Sequence, residues 1–235
     1  MARIIGLSRN LKLPWLNKMT ELCLTGLSEQ EIKDQLNEYL SYEISSPTNL
    51  RKTREILINI WGQKDGRSNH HCENGLRLIG ANKDNALPVH WCRMLITYPV
   101  FADTVRLIGK MTEFEDLLTA SQIKGKLFDE WGERTTLFHS SDKILATLKA
   151  MGALESPQKG YYRVKKHKVY DTDVIHYMVY TMMLVEKKGY YSFSDLASSQ
   201  YLFPFVYTIQ KEDILTDSRF TFNTFGGELT VGINQ

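Results

Sequence analysis

The chain has 235 residues, of which 43% are hydrophobic, 24% are charged and 11% are aromatic, and its formal net charge is +2. This composition is typical of an ordered globular protein of one or two domains, and it excludes a polyanion partner attracted by net charge alone. No apolar stretch reaches the roughly 18 residues of a membrane span, and three scattered cysteines indicate free thiols. We therefore expect a cytoplasmic protein that enters no membrane and has no secretory signal.

Residues 1–84 are predicted to form an N-terminal helical domain with a polar loop. Residues 1–12 predict a loose basic arm, and three short amphipathic helices follow it, beginning near Pro14, at Ser28 and at Ser46. Proline suits a first helical position, and serine followed three residues later by glutamate is a capping box. Helices of this length are marginal in isolation, so the three are expected to pack together.

Residues 62–87 are polar and rich in turn-forming residues, so they predict a linker or a large loop around one short helical segment. This region and its neighbour hold a group of potential metal ligands: His70, His71, Cys72, His90 and Cys92. Structural zinc sites show paired ligands at CxxC or HxxxH spacing, and neither spacing occurs here. No metal site is therefore predicted. His70 and His71 are expected at the surface and Cys92 in the core.

Residues 85–168 are predicted to form a winged helix-turn-helix domain. A capping box of Thr119 and Gln122 begins one helix, Gly132 ends it, and a second helix begins near Thr135. A basic β-hairpin follows the second helix. Helix, tight turn, helix and two strands is the order of a winged helix, whose second helix usually enters the major groove of DNA.

Three groups of side chains are the candidate DNA contacts. The exposed face of the second helix is predicted to carry Arg134, Thr135, Thr136, His139, Ser140, Lys143 and Thr147. The hairpin contributes Lys159, Tyr161, Arg163, Lys165, Lys166 and Lys168. A separate basic helix face carries Arg51, Lys52 and Arg54. Such groups bind phosphates and reach base edges, and clustered cations release counterions. A protein-docking winged helix and an ordinary solvated helix face are the alternatives.

Residues 169–235 are predicted to form a small C-terminal α+β extension. An apolar run predicts a helix within residues 171–187, and two strand-like runs around a Gly-Gly pair predict a hairpin. The aromatic run of residues 201–207 is either ordinary core or an exposed patch that docks a partner. Burial of Phe203 and Phe205 would weaken the docking interpretation.

No catalytic motif is present in the sequence. It has no phosphate-binding loop, no GxGxxG, no GxSxG and no HExxH. A site assembled from dispersed residues would leave no such motif, so this absence lowers the odds of catalysis without excluding it. We expect a non-enzymatic protein with no catalytic residues and no cofactor.

Two parts of the chain resemble the BrxA proteins of bacteriophage-exclusion (BREX) defence systems. Residues 19–33, the Ser-Ser-Pro-Thr-Asn segment at 45–49 and the basic helix after it are similar to the N-terminal region of that family. The residues similar to its winged-helix half are Arg93, Tyr98, Leu118, Thr119 and the run 135–154. The resemblance covers residues 13–165 and does not extend to the C-terminal extension.

The resemblance implies a mainly helical, non-enzymatic component of a prokaryotic anti-phage complex that binds duplex DNA through a winged helix. Its implied partners are DNA and other defence-system proteins. A scaffold that docks a partner enzyme and a free-standing winged-helix transcriptional regulator are the alternatives. RNA in place of DNA and a homo-oligomer also stay open.

Overall fold

A computed structural model describes residues 6–62 and 66–234 of the chain. The first five residues of the predicted basic arm, and residues 63–65 of the predicted linker, lie outside this part. The described residues form a mainly helical protein with small β-sheets, as the sequence predicts for the fold class. None of the helices described is both long and apolar enough to cross a membrane.

The helices and strands follow one another along the chain with short connections. The helices are α1 (Leu13–Leu24), α2 (Glu29–Ser41), α3 (Pro47–Trp61), α4 (Gly66–Ala81), α5 (Ala86–Thr97), α6 (Pro99–Met111), α7 (Ala120–Trp131), α8 (Thr135–Ala150), α9 (Thr172–Glu186), α10 (Phe193–Ala197) and α11 (Lys211–Leu215). The strands are β1 (Leu118–Thr119), β2 (Leu154–Glu155), β3 (Tyr161–Val164), β4 (His167–Lys168), β5 (Phe205–Val206), β6 (Phe220–Phe225) and β7 (Glu228–Ile233).

The predicted helix starts are confirmed where a capping box marks them. Ser28 accepts a hydrogen bond from the backbone N–H of Glu31, whose carboxylate accepts one from the N–H of Ser28. Thr119 and Gln122 form the same reciprocal pair at the start of α7. Each box satisfies N–H groups that the helix itself leaves without partners, which is why these two boundaries are fixed locally.

The predicted short helical segment is part of a longer helix, α4, which occupies Gly66–Ala81, so the prediction of a linker is wrong for these sixteen residues. Its inner face buries Cys72, Leu76 and Ile79 against the helical core. His71 is also buried, at 5% exposure, contrary to the prediction, whereas His70 is exposed. The apolar positions of α4 are separated by polar ones, so this amphipathic helix resembles a loop in composition.

Strands β1, β3 and β2 form a three-stranded antiparallel sheet in that spatial order. The predicted turn at residues 156–160 and the strand after it are confirmed, but residues 167–168 of the predicted basic hairpin do not belong to it. The hairpin is β2–β3, with its turn at residues 156–160, whereas β4 pairs in parallel with β5 from the C-terminal part of the chain. The predicted C-terminal hairpin is confirmed as β6–β7.

The C-terminal part is joined to the helices through a cluster of aromatic rings. Phe203 and Phe205 are both 6% exposed, and each ring centroid lies 5.5 Å from that of Trp91 on α5. The indole N–H of Trp91 donates to the backbone oxygen of Tyr201 at 2.9 Å. The aromatic run is therefore core, and this burial weakens the scaffold interpretation that it motivated.

A close approach on α6 brings the same C-terminal segment against the centre of the chain. A Cβ atom at Gly109 would lie 2.2 Å from the backbone oxygen of Gln200, far inside van der Waals contact. Glycine is therefore required for α6 to pack against this turn. The buried side chains of the N-terminal, central and C-terminal parts belong to one continuous cluster.

Two buried histidines, His71 and His90, are neutral because burial lowers the pKa of each. The indole N–H of Trp61 donates to Nδ1 of His90 at 3.1 Å, so Nε2 carries the proton and donates to Asn17 Oδ1 at 2.9 Å. Burial lowers the pKa of His90 to about 3. Burial first, and then the charges of Arg93 and Arg219, hold the pKa of His71 well below its usual range.

We predict that the free energy of unfolding decreases as the pH is lowered below about 6.5, because histidines of the unfolded chain bind protons there. Folded His90 stays neutral down to about pH 3, so the unfolded state binds more protons across this window. In His90→Gln the amide can keep both hydrogen bonds, and the pH dependence should weaken by about one bound proton.

The measurement is urea unfolding at a series of pH values. The exposed His70, changed to Gln, is the matched control and should leave the pH dependence nearly as it is. An identical dependence in wild type and His90→Gln would contradict the assignment.

Candidate nucleic-acid interface

Helix α8 lies against the core on one face and is open on the other. Leu137, Ile144 and Leu148 are completely buried and set the inward face. Their spacing places residues 135, 139, 142, 146 and 150 on the opposite side, and all five are exposed. The predicted helix from Thr135 toward Gly152 is thus confirmed, and its outward face is defined.

The N-terminal half of α8 presents most of the predicted contacts. Thr135, Thr136 and His139 are exposed, and Lys143 is half-buried at the edge of the outward face. Arg134 occupies the N-cap position and its guanidinium donates to Trp131 O at 3.2 Å, so no side chain caps the first turn. Uncapped N–H groups at a helix start suit a phosphate, which the helix dipole also favours.

Ser140 and Thr147 are not on the exposed face, so this part of the prediction is wrong. Ser140 is 2% exposed and Thr147 is completely buried. Ser140 Oγ donates to the backbone oxygen of Leu7 at 2.6 Å, and Thr147 Oγ1 accepts from the N–H of Leu11 at 2.9 Å. Their hydroxyls are occupied by the N-terminal segment.

This N-terminal segment, Gly6–Lys12, is an ordered strap rather than a loose arm. Leu7 and Leu11 are completely buried, and the two hydrogen bonds to Ser140 and Thr147 align the segment with α8. The two anchors are four residues apart in the segment and seven residues apart in the helix, so the segment runs alongside α8. The prediction of a loose arm is wrong for the described part.

Alternation along β3 separates its side chains into two faces. Tyr161 and Arg163 are exposed, whereas Tyr162 and Val164 are half-buried toward the helices. Burial, and then the Asp142 carboxylate, raise the pKa of Tyr162. Arg163 lies opposite Glu155 on β2, and this exposed pair is only 3.4 Å apart.

The remaining predicted hairpin residues differ in how free they are. Lys159 at the turn, Lys165 and Lys168 are exposed. The ammonium of Lys166 donates to the backbone oxygen of Phe203 at 2.7 Å, and burial lowers its pKa. Lys166 therefore tethers the C-terminal segment, which makes it less available to a phosphate than its neighbours.

The predicted basic face on α3 lies beside a separate groove between α2 and α3, with a volume of about 640 Å³. Arg51 and Lys52 are exposed. Arg54 is half-buried, and its guanidinium is held by Glu55 Oε1 at 2.6 Å and Asn37 Oδ1 at 3.0 Å. Arg51 and Arg54 both line the groove, but Arg54 is already neutralised by a carboxylate.

Several residues that sequence reasoning missed lie beside the outward face of α8. The ammonium of Lys124 on α7 lies 3.9 Å from the ring centre of Phe138 and 2.6 Å from Asp142 Oδ1. Phe138 is 45% exposed and stacks on Phe128. These residues border a shallow groove of about 330 Å³. The sequence did contain a signal for them. Helical spacing of three or four residues, counted from Thr135, places Phe138, His139 and Asp142 near one face of α8.

The histidines and cysteines considered as metal ligands do not converge. Cys72, Cys92, His71 and His90 are buried, and the thiol of Cys72 donates to Trp61 O at 3.3 Å. Within residues 6–62 and 66–234, no three His, Cys, Asp or Glu side chains are grouped so as to hold a metal ion. Their hydrogen bonds to neighbouring core groups account for them instead.

We predict that Thr147→Val lowers the free energy of unfolding by about 1–3 kcal/mol, because the buried N–H of Leu11 loses its acceptor while the shape of the side chain is kept. Hydrogen exchange at the Leu11 amide should accelerate. The control is Thr135→Val on the same helix, an exposed position where the change should stay within about 0.5 kcal/mol. Equal effects of the two substitutions would show that the strap is not anchored at Thr147.

Comparison with protein-family models, curated proteins and solved structures finds no match for this chain. The likeness to BrxA proteins therefore rests on the residues quoted for it. The arrangement of side chains around α8 and β3 is the physical basis for assigning a function.

Proposed function

We propose that this protein binds duplex DNA through a winged helix formed by α6, α7, α8 and the β1–β3–β2 sheet. The supporting observation is the order of these elements together with the sheet order, in which the strand before α7 pairs with β3. In this arrangement α8 is the helix that enters the major groove, and the turn between β2 and β3 is the wing.

The distribution of charge supports a nucleic acid as the partner. Residues 156–170 contain five lysines and arginines and no aspartate or glutamate, although the whole chain is nearly neutral. Lys159 and Lys165 are exposed, and Arg163 has only a weak exposed pairing. Surface ion pairs of that kind contribute little, so Arg163 can exchange Glu155 for a phosphate at small cost.

The first turn of α8 supplies the second part of the proposed interface. Thr135 and Thr136 stand at an uncapped helix start, and His139 lies one turn further along the outward face. Hydroxyl and backbone N–H groups suit phosphates, and His139 is placed to meet a base edge. Ser140 and Thr147 take no part in this proposal, since they hold the N-terminal strap.

We also propose, from the resemblance to BrxA proteins, that the protein belongs to an anti-phage system. A non-enzymatic DNA-binding component of an anti-phage complex agrees with two features of the chain: its cations are clustered, and its aromatic run is buried in the core. Other proteins of such a system would be its partners. The exposed Arg51 and Lys52 on α3 are a proposed second phosphate-binding face, weaker than the first because Arg54 is paired with Glu55.

The expected result is salt-dependent binding of duplex DNA that weakens when the wing loses its charges. Changing Lys159, Arg163 and Lys165 together to Gln should reduce affinity at low salt by at least about tenfold. The slope of log affinity against log salt should fall by about 0.9 for each phosphate that the wing no longer neutralises. Fluorescence anisotropy with a labelled duplex over a salt series measures both quantities. Lys166 is left unchanged because it holds Phe203.

The matched control changes three exposed cations elsewhere, Arg77, Lys83 and Lys211, to Gln. It removes the same charge and should leave the salt slope nearly unchanged. Absence of duplex binding by the wild type at low salt would refute the proposal. An equal loss of affinity in both triple variants would mean that binding follows net charge and not the wing.

A further inference from the structure

The N-terminal strap Gly6–Lys12 lies along one edge of the outward face of α8. It touches α8 at Ser140 and Thr147, which fall on the same edge as Thr136 and Lys143 because a helix turns once in 3.6 residues. Asp142 lies toward the other edge. Helix α7 reaches that side through Lys124, and β1, directly before α7, pairs with β3 of the β1–β3–β2 sheet.

The outward face of α8 is thus bordered on both sides, by the wing sheet and α7 on one and by the strap on the other. A helix with its side chains is about 10–12 Å across, and the DNA major groove is about 12 Å wide. A helix seated in that groove has a sugar-phosphate backbone beside each of its edges. Elements that border both edges therefore face the two DNA strands.

Arg9 is the side chain in the strap with the chemistry to bind such a backbone. It lies between the two anchored leucines and is partly exposed. One of its terminal nitrogens donates to the backbone oxygen of Ser8 at 2.6 Å. Its Nε is buried and has no hydrogen-bond partner in the part of the chain that the structure describes. Because Nε is covered by the chain, the terminal nitrogens are the ones that a phosphate can reach, and the hydrogen bond to Ser8 is exposed.

We infer that the strap is a third element of the DNA interface and that Arg9 binds a phosphate on the strand opposite to the one met by the wing. The inference rests on the proposed function and adds a phosphate ligand that the wing and α8 do not supply. The two hydroxyl anchors hold the strap in place before DNA binds, so little ordering cost remains for this interaction. A guanidinium fork suits a phosphate better than any other side chain.

Arg9→Gln should weaken duplex binding at low salt by several-fold and reduce the salt slope by about 0.9, the value for one neutralised phosphate. Arg9→Lys keeps the charge and should restore the slope. The control is Arg77→Gln on α4, which removes an equal exposed charge away from α8 and should behave as wild type. Anisotropy titrations over a salt series, on the full chain, give all four slopes.

The two proposals fail in different ways. If Arg9→Gln binds as wild type does while the triple wing variant is impaired, the role of the strap is overturned and the winged-helix proposal stands. If the wild type does not bind duplex DNA, both fall. Hydrogen exchange at the Leu11 amide shows whether the strap stays seated. If Arg9→Gln binds more weakly, its strap is unseated and Arg9→Lys does not restore the affinity, the phosphate interaction of Arg9 is also overturned.

Discussion

The buried guanidinium of Arg93 is the interaction on which the helical core depends. Its Nε and one terminal nitrogen donate to the backbone oxygen of Ile60, at 3.0 and 2.7 Å, at the C-terminal end of α3. The residue is 1% exposed. A cation at this position satisfies a helix carbonyl that has no partner within the helix and lies at the negative end of the helix dipole. An arginine can therefore be buried here beside a carbonyl instead of a carboxylate.

The rest of the network follows from that charge. The other terminal nitrogen of Arg93 donates to Nδ1 of His71 at 3.1 Å, so His71 must be neutral and protonated on Nε2. Nε2 donates to Thr181 Oγ1, which in turn donates to the backbone oxygen of Tyr177. The chain of bonds connects α3, α4, α5 and α9. Substituting any one member leaves a buried polar group without a partner, which is why such networks specify a single arrangement.

The same helices fix the position of α8 through the strap. Helix α5, which carries Arg93, is followed directly by Tyr98, and the Tyr98 ring lies 2.9 Å from where a Cβ of Gly6 would be. Gly6 also has a φ of +70°, so glycine is required there for two reasons. The strap then continues to Ser140 and Thr147. Segments far away in the sequence therefore decide which residues of α8 are exposed. Only these exposed residues are available to a ligand.

These long-range interactions separate what the sequence predicts from what it does not. Capping boxes at Ser28 and Thr119 are local, so the helix starts follow from residue types alone. The burial of Ser140 and Thr147 is not local, since it depends on a leucine strap more than a hundred residues earlier. Serine and threonine on a helix are ordinarily surface residues, and nothing in the helical spacing distinguishes an occupied hydroxyl from a free one. Only a short part of α4 was predicted as helix, because its polar composition outweighed its periodicity.

The free part of α8 also limits what kind of DNA binding the proposed function allows. Along its outward face, His139 is the side chain with base-reading chemistry, while the neighbouring Asp142 is negative and paired with Lys124. Of the residues that form the usual contacts to purines, α8 carries lysines but no arginine, asparagine or glutamine. Cations lie instead around the edges, on the wing, at Lys143 and in the strap. An interface of this composition draws its free energy from phosphates, so its affinity should depend on salt far more than on base sequence. That balance agrees with the proposal of a component that holds DNA within a larger assembly, in which another subunit supplies sequence recognition.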